Sequence, residues 1–314
     1  MNQRTVSFQG LRVLMILGVV CLHTYMRPIF GAGEELVSFF FVVSGFLYKD
    51  ETSWIQFISH KFKKLFPFYW LVLMLVVLIQ FVRNQNVLNV GFLGHLFLLQ
   101  SWVPSVSLTY AFKYVGAAWF LSSLMFCYLL AGPLYKMIRK FSKKNVLVIF
   151  CLAYLSICLC RYFEHGIVYG VWMAYACPIF RLLEYIMGMI ASYMMAKTRY
   201  AKCSIKMEIL SICVLIFYVI NICSQTFGGA SSLLHVTMIS YIYCIDSKLI
   251  HCLLGHSLVV SLAKYSLAIY LTHQSLILSI LRPHVDSNFV LFVLCVILGV
   301  FFQRIYSFIS KCII

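Results

Sequence analysis

Apolar residues run through this chain in long uninterrupted stretches. They do not alternate as in half-buried strands or recur every third or fourth position as in soluble helices. Ten runs approach the ~20 residues a helix needs to cross a bilayer. They are 11–30, 35–48, 66–82, 118–135, 145–163, 178–196, 207–224, 231–246, 258–281 and 288–309. Two shorter apolar stretches, 91–103 and 167–177, fall between them, and the first holds His95, Gln100 and Ser101. These read as re-entrant or interfacial segments. The pattern predicts an all-α polytopic membrane protein with about ten transmembrane helices. It forms a single membrane-embedded domain over 1–314, with no loop long enough for a separate soluble module.

Basic residues orient the spans. With the N-terminus inside, 19 of the 25 Lys and Arg fall in inner loops, and Arg27, Arg83, Lys113, Arg161, Arg181 and Arg282 fall outside. Counting 91–103 as a full span would move the cluster from Lys136 to Lys144 outside, against the positive-inside rule. A plasma-membrane protein with both termini cytoplasmic is therefore expected. One inner loop has helical periodicity of its own. Trp54, Phe57, Ile58, Phe62 and Leu65 share a face, while Lys61, Lys63 and Lys64 lie mostly elsewhere. This predicts a short amphipathic surface helix, ended by Pro67 before the next span.

Composition agrees with the pattern. The chain is 63% hydrophobic and 11% charged, with a mean hydropathy of +0.94, where soluble proteins carry roughly 25% charged residues. The net charge of +16 reads as oriented loops, not as a nucleic-acid surface. Most of the 13 cysteines lie inside apolar runs, and no Cys-x-x-Cys or zinc-spaced Cys/His cluster occurs. No disulfide framework and no metal site are expected. The first run lacks a small-residue cleavage site and reads as a retained span.

Ionisable groups within spans cost about 2.5–3.5 kcal/mol on insertion scales, so each is a functional candidate. Arg12 and His23 are eleven residues apart. On an α-helix that spacing puts both on one face, ~16 Å apart along the axis. Arg181 and Glu184 are three apart and able to pair, and Tyr270 and His273 share that spacing. Ser44-Gly45 is a small pair that admits a close helix neighbour.

These residues lie in a recognisable order. Arg12-x10-His23, Phe40-Phe41-x-x-Ser44-Gly45-Phe46, Lys61-x-x-Lys64-Leu65-x-Pro67, Trp119-Phe120-Leu121-Ser122, Arg181-x-x-Glu184-Tyr185-x-x-Gly188 and Ser266-Leu267-x-x-Tyr270-Leu271-x-His273 follow one another along the chain. Together they resemble the acyltransferase-3 family, which includes O-acetyltransferases of bacterial surface polysaccharides. Ser38 stands where many relatives have an aspartate, and Glu34 and Glu35 are the nearest acids.

The resemblance implies acyl transfer, most often of acetyl from acetyl-CoA, to a hydroxyl of a glycan or lipid-linked oligosaccharide. His23 would be the general base or transient acyl acceptor. Arg12, Lys61, Lys63 and Lys64 would attract the donor's phosphates. Ser44, Tyr270 and His273 are candidate oxyanion donors, and Glu35, Arg181 and Glu184 complete the supporting or acceptor site. Acyl-CoA would be a substrate, with no permanently bound cofactor. Intramembrane Arg, His and Glu also suit a rival reading, a flippase or transporter for lipid-linked oligosaccharides. Against that rival, the spans show no inverted repeat.

Overall fold

The computed structural model describes residues 3–25, 33–49, 53–85, 90–196, 201–202, 204–224 and 231–313. Arg27, Lys197 and Arg199, three of the residues used for orientation, lie outside them. The protein is a helical bundle. Its elements are α1 (Gln3–Tyr25), α2 (Gly33–Phe46), α3 (Trp54–Val82), α4 (Val90–Leu96), α5 (Ala118–Lys140), α6 (Lys143–Phe163), α7 (Gly170–Tyr175), α8 (Pro178–Met195), α9 (Ile205–Ser224) and α10 (Ser232–Cys244). There follow α11 (Lys248–Leu254), α12 (Ser257–Ala263), α13 (Ser266–Thr272), a π-helical turn (His273–Leu278), α14 (Ser279–Leu281) and α15 (Asn288–Ile313). The only sheet among the described residues is a two-residue parallel ladder, with β1 (Ala201–Lys202) beside β2 (Ile245–Asp246).

Seven helical segments are long and apolar enough to cross a membrane. Three shorter apolar helices, Glu35–Phe46, Ser232–Cys244 and Ser266–Leu281, coincide with three more of the runs read from the sequence. The expected count of ten thus exceeds the seven that length alone supports.

The structure corrects two boundaries. The surface helix before Pro67 does not end there, and α3 runs unbroken from Trp54 to Val82. Proline removes one hydrogen bond, to the carbonyl of residue 63, and Lys63 is exposed, where water can take that acceptor. Phe62 stacks on Phe66 at 3.9 Å, and both rings meet Trp70. These contacts join the two sides of the proline. The run 258–281 is not one helix. It divides into α12, α13 and the π turn, so its apolar helical part starts at Ser266.

The segment 91–103 makes no crossing. Its helix, α4, has seven residues, a rise of about 10 Å. His95, Gln100 and Ser101 are nevertheless fully buried. Several polar groups there are tied to neighbours, although the Gln100 amide and His95 Nδ1 are buried without a partner among the described residues. Tyr69 donates to the His95 carbonyl at 2.6 Å, and Trp70 donates to that of Leu96 at 2.9 Å. His95 Nε2–H donates to the Tyr110 carbonyl at 3.0 Å. Burial pushes the His95 imidazole down to about 4, so it stays neutral at physiological pH.

At the centre, α2 and α8 touch backbone to backbone. A Cβ on Gly45 would collide with the Tyr185 carbonyl oxygen, and a Cβ on Gly188 with that of Val42. The close approach read from Ser44-Gly45 is therefore made, and its partner is α8. Gly188→Val should force the helices apart and destabilise the protein by about 2 kcal/mol or more, as overpacked cores do. Thermal unfolding of the detergent-purified variant checks this, and an unchanged midpoint would contradict it.

Candidate functional site

The continuous helix α1 carries Arg12 near its middle and His23 near its C-terminal end, both half-buried. His23 meets a second imidazole. His273 Nε2 lies 3.4 Å from His23 Nδ1, and the rings are 4.9 Å apart and edge-on. Their hydrogen bonds assign the protons. His23 Nδ1 is 2.9 Å from the Val19 carbonyl, and His273 Nδ1 is 2.6 Å from the Tyr270 carbonyl. Carbonyls only accept, so each Nδ1 carries a hydrogen. In the neutral pair, His273 Nε2 is then an acceptor facing His23 Nδ1–H. His23 Nε2 carries the lone pair, as a general base requires. Both ring nitrogens of His273 are thus engaged, one of them with His23.

Two features hold this arrangement. Arg282 donates to the carbonyls of His23 and Thr24 at 2.8 and 3.1 Å, capping the last turn of α1. The chain is also underwound to π geometry from His273 onward, a distortion often found at functional sites. The segment before α5 is tied to this turn, where the Gly116 N–H donates to Ser275 at 2.7 Å.

A cation cluster lies about three turns away along α1, around Arg12. The Lys61 ammonium stands over the rings of Phe57 and Tyr128, at 5.1 and 4.8 Å. Arg12 is close enough to repel Lys61. The Tyr128 hydroxyl is hydrogen-bonded to Ser44 and within electrostatic reach of Arg12 and Lys64. Among the described residues neither Arg12 nor Lys61 has a carboxylate partner. Ser44 thus belongs to this cluster and not to the His23 end. Lys63 is exposed and takes no part in the contacts around Tyr128.

A third cluster is buried between α2 and α8. Arg181 Nη1 donates to both oxygens of Glu184 at 2.9 and 3.0 Å, and to Ser38 Oγ at 2.9 Å. Ser38 donates onward to Glu184 at 2.7 Å, and Arg181 Nε donates to the Tyr175 carbonyl at 2.7 Å. The guanidinium lies over the rings of Phe41 and Trp119, at 5.6 and 5.3 Å, within range of a cation–π attraction. This cluster does not touch the histidine pair. Tyr270 lies between the two, its ring 5.9 Å from His273 and 5.4 Å from Phe120.

Glu35 is buried near the start of α2. Its carbonyl accepts from His235 Nε2 at 2.8 Å, and His235 Nδ1 accepts from the Tyr218 hydroxyl at 2.7 Å. The side chain of Glu34 lies outside the described residues. Sequence reasoning missed Tyr128, Arg282 and His235. Arg282 could have been found as the basic residue that closes the last polar-bearing span. Tyr128 is one of 20 tyrosines, and no spacing marks it.

A family model described as an acyltransferase domain matches residues 5–302. No curated protein and no solved structure matches the chain.

Glu184→Gln should destabilise the protein by about 3–5 kcal/mol, because it strands a buried guanidinium. Ser38→Ala removes one hydrogen-bond partner and should cost only about 1–3 kcal/mol. Thermal unfolding of the two purified variants tests this order. A milder effect from Glu184→Gln than from Ser38→Ala would overturn it.

Proposed function

The chain belongs to the acyltransferase-3 family, and from that premise we propose that this membrane acyltransferase moves an acetyl or similar group from acyl-CoA to a hydroxyl of a glycan or lipid-linked oligosaccharide. The observation that carries the reading is the oriented histidine pair, with His23 Nε2 left as the base nitrogen. Proton transfer to His23 Nε2 accompanies attack of the acceptor oxygen on the thioester carbonyl. The new C–O bond forms, the tetrahedral intermediate collapses, and the C–S bond breaks. The departing thiolate takes the proton back from His23, so the base is regenerated. While His23 is an imidazolium, its Nδ1–H still points at the Val19 carbonyl and the His273 lone pair, and both favour the cation.

The donor reading rests on charge. Arg12, Lys61 and Lys64 gather around Tyr128 without a carboxylate among the described residues. Such a cluster suits the phosphates of CoA. Arg12 and His23 are joined by one helix face ~16 Å long, a span that the extended pantetheine arm can follow. The acceptor would come from the side opposite the Lys136–Lys144 cluster, the extracytoplasmic side of a plasma membrane.

His23→Gln keeps a polar side chain but cannot take a proton near neutral pH. It should leave membrane abundance normal and lower acyl transfer by about 10²–10⁴-fold. Abundance and acylation of cell-surface glycan, measured in the same cells, decide the matter. Normal acylation by the variant would end the assignment. Arg12→Ala should weaken acyl-CoA binding, and the remaining affinity should depend less on salt, since exposed charges are screened over about 8 Å at physiological ionic strength. Calorimetric titration at two ionic strengths reads both effects. Unchanged affinity in folded protein would reject the donor role.

A further inference from the structure

A narrow, partly open cleft lies between α6 and the start of α8, lined by Ile157, Cys160, Arg161, Ala174, Phe180, Arg181 and Glu184. Both arginines are buried, Arg181 at 1% exposure and Arg161 at 9%. Arg181 has committed Nε and Nη1 to Tyr175, Ser38 and Glu184, while Nη2 is buried with no hydrogen-bond acceptor. That leaves one strong donor for whatever enters. Arg161 pairs with Glu164 at 3.3 Å, and the exposed His165 lies 3.3 Å from the same carboxylate.

The position of the cleft narrows the ligand. It adjoins the last turns of α6, the end remote from Lys143. The outward side of α6 is apolar there, with Leu152, Leu155 and Leu159 exposed. Tyr162 and Phe163, 81% and 51% exposed, follow at its end, as an interfacial aromatic belt would. The cleft therefore opens at headgroup depth, where the anionic group on offer is a lipid phosphate. Two guanidiniums are suited to grip such a group with forked hydrogen bonds.

We propose that Arg161 and Arg181 form a subsite for the phosphate of a membrane lipid, seated in the cleft between α6 and α8. The proposal rests on the reading of the protein as an acyltransferase acting on a lipid-linked acceptor, whose phosphate would be anchored here. Glu164 is the gate of charge: it competes with the incoming phosphate for Arg161.

The test uses the full-length protein in detergent, without acyl-CoA, and three probes. They are a short-chain prenyl-diphosphate-linked monosaccharide, the same monosaccharide on a neutral prenyl ether, and short-chain phosphatidylglycerol. The diphosphate probe should bind about tenfold or more tighter than the ether, the value of one or two charge-assisted hydrogen bonds. Arg161→Gln should remove that difference, Arg161→Lys should remove part of it, and Glu164→Gln should enlarge it. Phosphatidylglycerol binding with the same responses supports the phosphate subsite and identifies an ordinary headgroup as its source. Equal binding of ether and diphosphate overturns the proposal, as does an unchanged difference in Glu164→Gln should Arg161→Gln fail to fold. Because no donor is present, these outcomes are independent of acyl transfer. Failure of the acyltransferase reading would appear separately, as absence of acylation of a bound probe.

Discussion

The backbone contact between α2 and α8 sets the positions of the buried charges. Gly45 and Gly188 let the helices meet with no side chain between them. In a membrane such contact is favoured by packing and not by the hydrophobic effect, since lipid tails are as apolar as the residues they replace. The close approach brings Ser38 of α2 to Arg181 and Glu184 of α8. A buried ion pair in so apolar a place needs further hydrogen bonds to offset desolvation. Ser38 and the Tyr175 carbonyl supply them. Ser38 occupies the place where many relatives of the resembled family carry an aspartate. Here it bonds to a carboxylate provided by another helix, so that helix contact and polar network depend on each other.

The histidine pair depends on a different joint. His23 lies near the end of α1, where the last carbonyls lack helical partners. Arg282, beyond the π turn, reaches back to two of them. The same chain segment that supplies His273 thus also fixes the helix end that carries His23. A regular helix from Ser266 would present different residues to α1. The π turn beginning at His273 changes the phase of the residues beyond it, Arg282 among them.

Much of this was legible in the sequence, and the reasons are local. The single-face relation of Arg12 and His23 follows from helical periodicity, and α1 is continuous across both. The Arg181–Glu184 pair follows from a spacing of three. The short α4 follows from a run too brief to cross. What could not be read depends on contacts distant in sequence. Pro67 looked like a stop because its neighbours' aromatic stacking is invisible in a one-dimensional pattern. Ser44 reads as a small residue in a helix seam, yet its hydroxyl meets Tyr128 of α5, 84 positions further on. Arg282 looked like an orienting charge, and its donors prove to be structural. Ser38 carried no signal of its own beyond the acid it replaces.

Aromatic residues explain how three polar clusters coexist in one apolar bundle. Phe41 meets Phe120 at 5.0 Å, Phe120 meets Tyr270 at 5.4 Å, and Trp119 meets Tyr175 at 4.7 Å. This wall separates the Arg181–Glu184 pair from the histidines. Charges in low dielectric act on each other strongly over distance, so an unshielded guanidinium beside His23 would oppose its protonation. Here Arg181 is held by its own carboxylate and by the quadrupoles of Phe41 and Trp119. These partners offset much of its charge, and the imidazole is left to respond to its immediate partners. Arg282 is likewise committed to two carbonyls. The cations around Tyr128 differ, because Arg12 and Lys61 repel each other with no carboxylate partner among the described residues. Positive charge is thus engaged by protein groups around the histidines, while about three helical turns away it has no carboxylate partner among the described residues.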